Sequence, residues 1–283
     1  MRKTREKYSF TITPRRGWFD IDLGELWRYR DLYLIYIKRK FITVYKQTIL
    51  GPLWFLVRPL FTITMYVFVF GRLAGISTDG VPQPLFYMSG VLLWSFFSDS
   101  FFNTTTVFID NASLFGKVYF PRLIIPLADI TSNLFKMGIS LGMFAMMYVW
   151  YFLHGAPLHV NWSLCLFPLL LLLLALHALG MGLLVTSLTS KYRDLAILVE
   201  FGIQLFMYAT PVVYPLSAMP ERYRPLIELN PLTPVFEAFK YSCMGCGSIN
   251  WGGLLYSTVF MLTVLFFSVL VFNRVERNFM DTI

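Results

Sequence analysis

The stretch Gln47-Thr48-Ile49-Leu50-Gly51-Pro52-Leu53-Trp54 joins a basic segment, residues 27–46, to a long apolar run. Apolar side chains recur in the basic segment at spacings of three and four residues, on one face of a predicted helix: Leu34, Ile37, Phe41 and Val44. Lysines and arginines occupy much of the remaining surface. A helix of this kind lies along a membrane, with its apolar side in lipid and its cationic side toward water.

Gly51 and Pro52 predict how the chain turns from this surface helix into the membrane. Proline suits the first turn of a helix, where its missing N–H costs nothing. Glycine permits the sharp bend that must precede that turn. A positively charged anchor that only fixes the topology is the alternative interpretation of the same pattern.

The composition excludes an ordinary soluble protein. Of 283 residues, 57% are hydrophobic and only 14% are charged. The net charge is +8, and residues 1–50 supply +7 of it, with 12 Lys and Arg against 5 Asp and Glu. This distribution indicates a cytosolic segment next to lipid better than it indicates a nucleic-acid binder.

Six apolar segments are long enough to cross a bilayer, which takes ~20 helical residues. They are residues 53–70, 85–109, 123–153, 164–188, 196–215 and 254–272. With both termini placed inside, the cytosolic side carries 18 Lys and Arg and the outer side carries 4. We therefore predict an all-α polytopic membrane protein in the inner membrane, with a cytosolic N-terminal segment (1–50) and a transmembrane domain (51–283).

The outer segment between the fifth and sixth spans, residues 216–253, is interrupted by prolines. We expect short re-entrant helices there, because irregular backbone at membrane depth is tolerated where protein or a water-filled cavity covers it. A soluble cap is the alternative.

Polar residues recur along one face of three predicted spans. The second span carries Asp99 and Asn103, and the fifth carries Glu200 and Gln204. The third span carries the series Asp129, Asn133 and Lys136. Charged groups are costly in lipid, so these faces meet other helices, water or a conduit. Interhelical hydrogen bonding and a hydrated translocation path both remain open.

Other patterns limit the chemistry. Neither the three cysteines nor the three histidines form a metal-binding or catalytic constellation. No GxxxxGK[ST] phosphate-binding loop occurs in the sequence, so a transporter of this kind needs a gradient or a separate subunit as its energy source.

The small-residue patterns at 138–142 and 178–182 predict close helix packing. Arg58 lies inside the first span, where it either extends to the headgroups or holds a substrate phosphate.

Four motifs, taken in order, resemble the permease subunits of ABC-2 type exporters, most closely those that export polysaccharide. They are the 47–54 junction after a basic helix, Tyr192-Arg193-Asp194-Leu195, Ala209-Thr210-Pro211-Val212-Val213-Tyr214, and Leu229-Asn230-Pro231-Leu232-Thr233-Pro234. The resemblance covers nearly the whole chain from Leu26 onward.

The resemblance implies a homodimer with a channel between the copies, driven by two copies of a separate ATP-binding cassette subunit. ATP and magnesium would bind to that subunit, and this chain would hold no cofactor. The positions that would contact the ATPase are Lys38, Arg39, Lys40, Lys46, Phe115, Lys117, Tyr119, Phe120, Arg122, Lys191, Arg193 and Asp194. The outer gate would comprise Pro211, Tyr214, Asn230, Pro231 and Pro234.

The resemblance also implies a lipid-pyrophosphate-linked sugar chain as substrate, such as an O-antigen. Aromatic faces can stack on sugars and let a polymer slide. The expected channel residues are Trp54, Arg58, Tyr66, Trp94, Asp99, Phe101, Asn103, Asp129, Asn133, Lys136, Glu200, Gln204 and Tyr208. We expect contact with membrane lipids and none with nucleic acid.

Three other functions are alternatives to polysaccharide export. An intramembrane glycosyl- or acyltransferase would use Asp99, Asp129 or Glu200 as a base. A permease for small hydrophobic drugs would share the layout of an ABC-2 exporter. A structural scaffold would not need polar residues on three spans.

Overall fold

The computed structural model describes residues 23–46, 51–115, 120–189, 192 and 194–279, and every regular element within them is helical. In chain order the α-helices are α1 (Leu23–Arg28), α2 (Arg30–Lys46), α3 (Trp54–Tyr66), α4 (Gln83–Thr105), α5 (Val107–Asp110), α6 (Ala112–Phe115), α7 (Ile124–Leu153), α8 (Phe167–Thr189), α9 (Leu195–Phe206), α10 (Arg224–Glu228), α11 (Thr233–Met244) and α12 (Trp251–Phe279). Short 3₁₀ turns cover Gly51–Leu53, Trp162–Leu166 and Leu216–Ala218, and a π-helix, Val67–Leu73, extends α3.

Within the described residues, five helical segments are long and apolar enough to cross a membrane. They are Trp54–Leu73, Gln83–Thr105, Ile124–Leu153, Trp162–Thr189 and Trp251–Arg274. The predicted first, second, third, fourth and sixth spans agree with these segments to within a few residues at most ends.

The predicted fifth span, 196–215, is not one continuous helix. Only α9, of 12 residues, is helical there, which corresponds to a length of about 18 Å. Residues 207–215 continue as turns and irregular backbone. Pro211 and Pro215 explain the break, because a proline removes a helical hydrogen bond and its ring clashes with the preceding turn.

Gly51 lies between the surface helix and the first span. Its φ is +49°, in the left-handed region that glycine tolerates. Pro52 lies in the 3₁₀ turn Gly51–Leu53 that leads directly into α3. Residues 47–50 lie outside the described part of the chain, so the bend between α2 and the first span stays a prediction.

Helix α4 forms the centre of the bundle, with most of its side chains buried against α3, α7 and α8. Gly182 allows the closest approach of α8, because a Cβ atom there would lie 2.6 Å from the Thr104 Cβ. The hydroxyl of Thr186 donates to the Thr104 carbonyl at 2.7 Å, and that of Thr189 donates to the Thr105 carbonyl at 2.7 Å. The packing predicted for the 178–182 pattern is confirmed.

The 138–142 pattern behaves differently. A Cβ added at Gly138 or at Gly142 would have no atom within 4 Å among the described residues. These two glycines therefore leave an open face on α7, and the prediction of close packing is not met within one chain.

We expect Gly182→Ala to destabilise the bundle by about 1–3 kcal/mol, because the new methyl group overlaps α4. Gly138→Ala is the matched control, since its methyl group meets open space and alanine favours the helix by up to about 1 kcal/mol. Thermal unfolding of the purified protein in detergent measures both variants. Equal midpoints for the two variants would contradict the close contact between α4 and α8.

Candidate functional site

A cleft of about 460 Å³ lies between α3, α4, α7 and α9. Polar and charged side chains from all four helices line it: Arg58, Asp99, Asn103, Asn133, Lys136, Glu200 and Gln204. Six aromatic residues complete the wall: Trp54, Phe55, Tyr66, Trp94, Phe96 and Phe102. The structure thus brings ten of the thirteen predicted channel residues to one cavity.

Helical spacing explains why these side chains meet. Asp99 and Asn103 are four residues apart on α4, and Glu200 and Gln204 are four apart on α9, so each pair lies on one helix face. The cleft contains two cations, Arg58 and Lys136, and two carboxylates, Asp99 and Glu200. It is therefore polar, with no strong excess of positive or negative charge.

Hydrogen bonds hold one wall of the cleft in place. The Lys136 ammonium donates to the Asn133 Oδ1 at 3.0 Å. The Asn133 Nδ2 in turn donates to the Ser100 hydroxyl of α4 at 3.1 Å. Interhelical hydrogen bonding and a polar cavity, which the sequence presented as alternatives, are therefore both present on the same helix face.

The aromatic residues of the cleft are partly fixed by their neighbours. The Tyr66 hydroxyl donates to the Met207 Sδ at 3.4 Å, and its ring lies edge-on to Phe70, with centroids 5.5 Å apart. The Trp94 ring packs against Phe206 at 6.1 Å.

Two predicted channel aromatics lie elsewhere. Phe101 is 6% exposed and stacks on Phe97 in the core, with ring centroids 6.0 Å apart. Tyr208 is 53% exposed and does not line the cleft. A position within an apolar span shows neither the direction of a side chain nor its neighbours, so the sequence could not show that these two residues lie apart from the cleft.

Asp129 also lies outside the cleft. Its carboxylate, 4% exposed, forms an ion pair with Lys40 of α2, which had been assigned to the ATPase surface. Lys136 instead binds Asn133, so Asp129 and Lys136 have different partners although both belong to the polar series of α7. The ion pair fastens the surface helix to the third span.

Three further contacts attach α2. The Tyr33 hydroxyl lies 2.6 Å from the Thr131 hydroxyl, the Tyr36 hydroxyl donates to Asn111, and Phe41 meets Phe135 edge-on at 5.7 Å. Burial raises the pKa of Tyr36 to about 12. Spacings of three and four residues place Tyr33, Tyr36 and Lys40 on one helix face, a signal present in the sequence but masked by the apolar series beside it.

The described residues on either side of positions 116–119, in the loop after the second span, are packed inward rather than outward. Phe115, Phe120 and Arg122 are 3%, 5% and 4% exposed. The Arg122 guanidinium lies over the rings of Phe108 and Phe115, at 5.6 and 5.2 Å from their centroids. The prediction that these three side chains form a docking surface is therefore corrected, because they hold the loop to the bundle.

The structure describes only some of the other residues predicted to contact the ATPase. Lys38, Arg39 and Asp194 are exposed. Lys117, Tyr119, Lys191 and Arg193 lie outside the described residues, as does the side chain of Lys46.

At the opposite end of the bundle, the predicted outer-gate residues are all buried: Pro211, Tyr214, Asn230, Pro231 and Pro234. The Asn230 Nδ2 donates to the Ala209 carbonyl at 3.0 Å and to the Thr210 hydroxyl at 2.9 Å. The Ser257 hydroxyl of α12 donates to the Pro231 carbonyl at 2.7 Å. Asn230 thus supports the broken fifth segment directly, and α12 holds the neighbouring Pro231 in the segment before α11.

Lys240 is a residue whose role sequence reasoning missed. It is 1% exposed, and its ammonium donates to the carbonyls of Pro211 and Tyr214 at 2.5 and 3.3 Å. It also lies 4.2 Å from the centroid of the Phe86 ring and 3.8 Å from the Glu237 carboxylate. Burial raises the pKa of Glu237, although Lys240 opposes that shift. The available signal in the sequence was a lysine three residues after Glu237, within the moderately apolar α11.

The thiols of Cys243 and Cys246 are buried, and this burial raises the pKa of both to about 12. Thiols of such high pKa are poor nucleophiles and poor metal ligands at neutral pH. Among the described residues, no cluster of histidine, cysteine and carboxylate groups is arranged for a metal ion.

The family model of the ABC-2 type transporters matches residues 31–244, which include α2 and every helix that lines the cleft. The chain belongs to this family. Members of the family are transport permeases, and the transport role extends to this chain.

Relatives that are similar over most of this chain carry related descriptions. An "O-antigen export system permease protein RfbA" from Klebsiella pneumoniae is 28% identical over 254 residues, covering 89% of this chain and 94% of that protein. A protein of the same description from Myxococcus xanthus is 29% identical over 76% of this chain and 81% of its own length. The "Inner membrane transport permease YadH" of Escherichia coli (strain K12) is 24% identical over 74% of this chain and 80% of its own.

We expect Lys40→Met to lower the free energy of unfolding by about 2–3 kcal/mol, because it leaves the buried Asp129 carboxylate without its cation. The double variant Lys40→Met/Asp129→Leu removes both charges and should recover part of that loss. Lys38→Met, on the exposed side of α2, is the matched control. Thermal unfolding of the purified protein measures the set, and an equal loss in the single and double variants would count against the ion pair.

Proposed function

We propose that this chain is the permease subunit of an ATP-driven exporter that moves a lipid-linked O-antigen or similar cell-surface polysaccharide across the inner membrane. The observation that carries the proposal is the cleft, which combines aromatic side chains with charged and amide groups from four helices. Its support outside the structure is the similarity to O-antigen export permeases over 89% of the chain.

The chemistry of the cleft suits a hydrated, largely neutral polymer with an anionic attachment point. Amide and carboxylate groups exchange hydrogen bonds with sugar hydroxyls, and Trp54, Tyr66 and Trp94 offer surfaces for sugar stacking. Arg58 and Lys136 supply the cations that a pyrophosphate requires. A purely apolar drug would not need four charged groups in its path.

The energy source would be a separate subunit. Permeases of this family normally work with an ATP-binding subunit. The exposed Lys38 and Arg39 of α2 are the described residues that would meet it, and the ion pair between Lys40 and Asp129 would transmit the movement of α2 to α7. Because α7 also carries Asn133 and Lys136, that movement would reach the cleft within two helical turns.

The complete conduit would be shared by two copies of the chain, with both termini in the cytosol. Glu200 and Gln204 on α9 and Arg58 on α3 are exposed although they line the cleft, so the cleft is open on one side. A second copy would close it. The broken fifth segment, α9 followed by residues 207–215, would form a discontinuous crossing, and its buried prolines together with α10 and α11 would make the outer closure.

The test is export by the purified chain reconstituted in vesicles with its ATP-binding partner and a lipid-linked polysaccharide. The proposal expects transport that depends on ATP and on both proteins. Export without any ATPase subunit would contradict it, and modification of the glycan by this chain alone would favour an intramembrane transferase.

In the same assay, we expect Arg58→Gln and Lys136→Gln each to reduce export by about ten-fold or more, the effect of losing one charge-assisted hydrogen bond. Arg222→Gln is the matched control, since it removes an exposed arginine far from the cleft residues in the chain. The amount of protein inserted in the vesicles is measured in parallel. Export at the level of the unmodified protein in both cleft variants would contradict the role given to these cations.

A further inference from the structure

A second cavity, of about 350 Å³, lies against the first span outside the cleft. It is an elongated apolar groove with one cation at its end, lined by Leu60, Ile63, Thr64, Val67, Phe68, Arg72, Pro84 and Met147. None of these residues also lines the cleft. We call this surface the α3 groove.

Helix α3 separates the α3 groove from the cleft. Arg58 lines the cleft and Leu60 lines the groove, and two residues correspond to about 200° around an α-helix. The groove residues Leu60, Ile63 and Val67 follow at spacings of three and four, so they form one continuous stripe. The groove therefore faces away from the transport path.

The π-helix brings the cation to the end of this stripe. In an α-helix, residues five apart such as Val67 and Arg72 would be separated by about 140°. A helix with i→i+5 hydrogen bonds has more residues in each turn, so the same two residues come closer to one face. Ala74 N–H donates to the Val69 carbonyl at 2.9 Å in this pattern. The irregular winding of Val67–Leu73 thus places Arg72 in the groove.

The dimensions and the chemistry fit a lipid. From Leu60 to Arg72 the groove extends about 18 Å along the helix, comparable with an acyl chain lying in one half of the bilayer. Leu60 and Phe68, 47% and 51% exposed, offer an open apolar wall. Among the described residues, no carboxylate or carbonyl pairs with the Arg72 guanidinium.

We propose that the α3 groove binds one anionic phospholipid of the membrane, with an acyl chain along Leu60, Ile63 and Val67 and the phosphate at Arg72. An arginine binds a phosphate through paired N–H donors. A zwitterionic headgroup carries its own cation beside the phosphate, and that cation repels the arginine. The occupant is a resident membrane lipid and not the exported molecule, because α3 stands between the groove and the cleft. The inference is independent of the cargo.

The test is native mass spectrometry of the purified chain taken from nanodiscs that hold equal amounts of phosphatidylglycerol and phosphatidylcholine. The unmodified protein should retain phosphatidylglycerol in preference. Arg72→Gln should reduce that preference about ten-fold, and Arg72→Lys, which keeps the charge, should retain most of it. Arg222→Gln, which removes another exposed arginine, should leave the preference unchanged.

A second pair of variants tests the apolar part of the α3 groove. Leu60→Trp fills the groove and should lower retention of both lipids, whereas Phe61→Trp, at an exposed position outside it, should not. Undiminished preference in Arg72→Gln, or undiminished retention in Leu60→Trp, overturns the proposal. Retention of a polyprenyl phosphate in place of phosphatidylglycerol, when both are supplied, overturns the assignment to a membrane phospholipid.

Discussion

The pairing of charges at membrane depth is the constraint on which the rest of this structure depends. An unpaired charge in hydrocarbon is costly, so each must find a partner, a polar cavity or a path to the surface. The protein uses the first two solutions. Lys40 and Asp129 neutralise each other between α2 and α7, and Lys240 is held by backbone carbonyls. Four further charges, Arg58, Asp99, Lys136 and Glu200, gather around one cleft.

The arrangement links the surface helix to the cleft through a single element. Helix α7 receives Lys40 of α2 at Asp129 and, one and two turns further along, presents Asn133 and Lys136 to the cleft. Asn133 is also bonded to α4 at Ser100, so α7 is tied to the centre of the bundle at the level where it lines the cavity. A displacement of α2 therefore has a short, polar route to the residues proposed to hold the cargo.

Much of the fold and of the cleft could be predicted from the sequence, because hydropathy and helical spacing depend only on residues that are close together in the chain. Hydropathy predicts six spans, and five of them are long apolar helices in the structure. The spacing of Asp99, Asn103, Glu200 and Gln204 predicts that each pair shares a helix face. What periodicity cannot show is which neighbour a face meets. Asp129 belongs to the same polar series as Lys136, yet it faces α2 rather than the cleft. The aromatic loop around Phe115 and Arg122 resembles an exposed docking site, and only its long-range contact with the core shows that it is buried.

The central claim is that the cleft is the export path, and site-specific photo-cross-linking during active export tests it most directly. A photoreactive amino acid in place of Tyr66, in the cleft, and another in place of Phe61, on an exposed face outside it, form a matched pair on the same helix. The account predicts that the exported polysaccharide cross-links at position 66 and not at position 61, and only while ATP is hydrolysed. Cross-linking at position 61 without any at position 66 would contradict it.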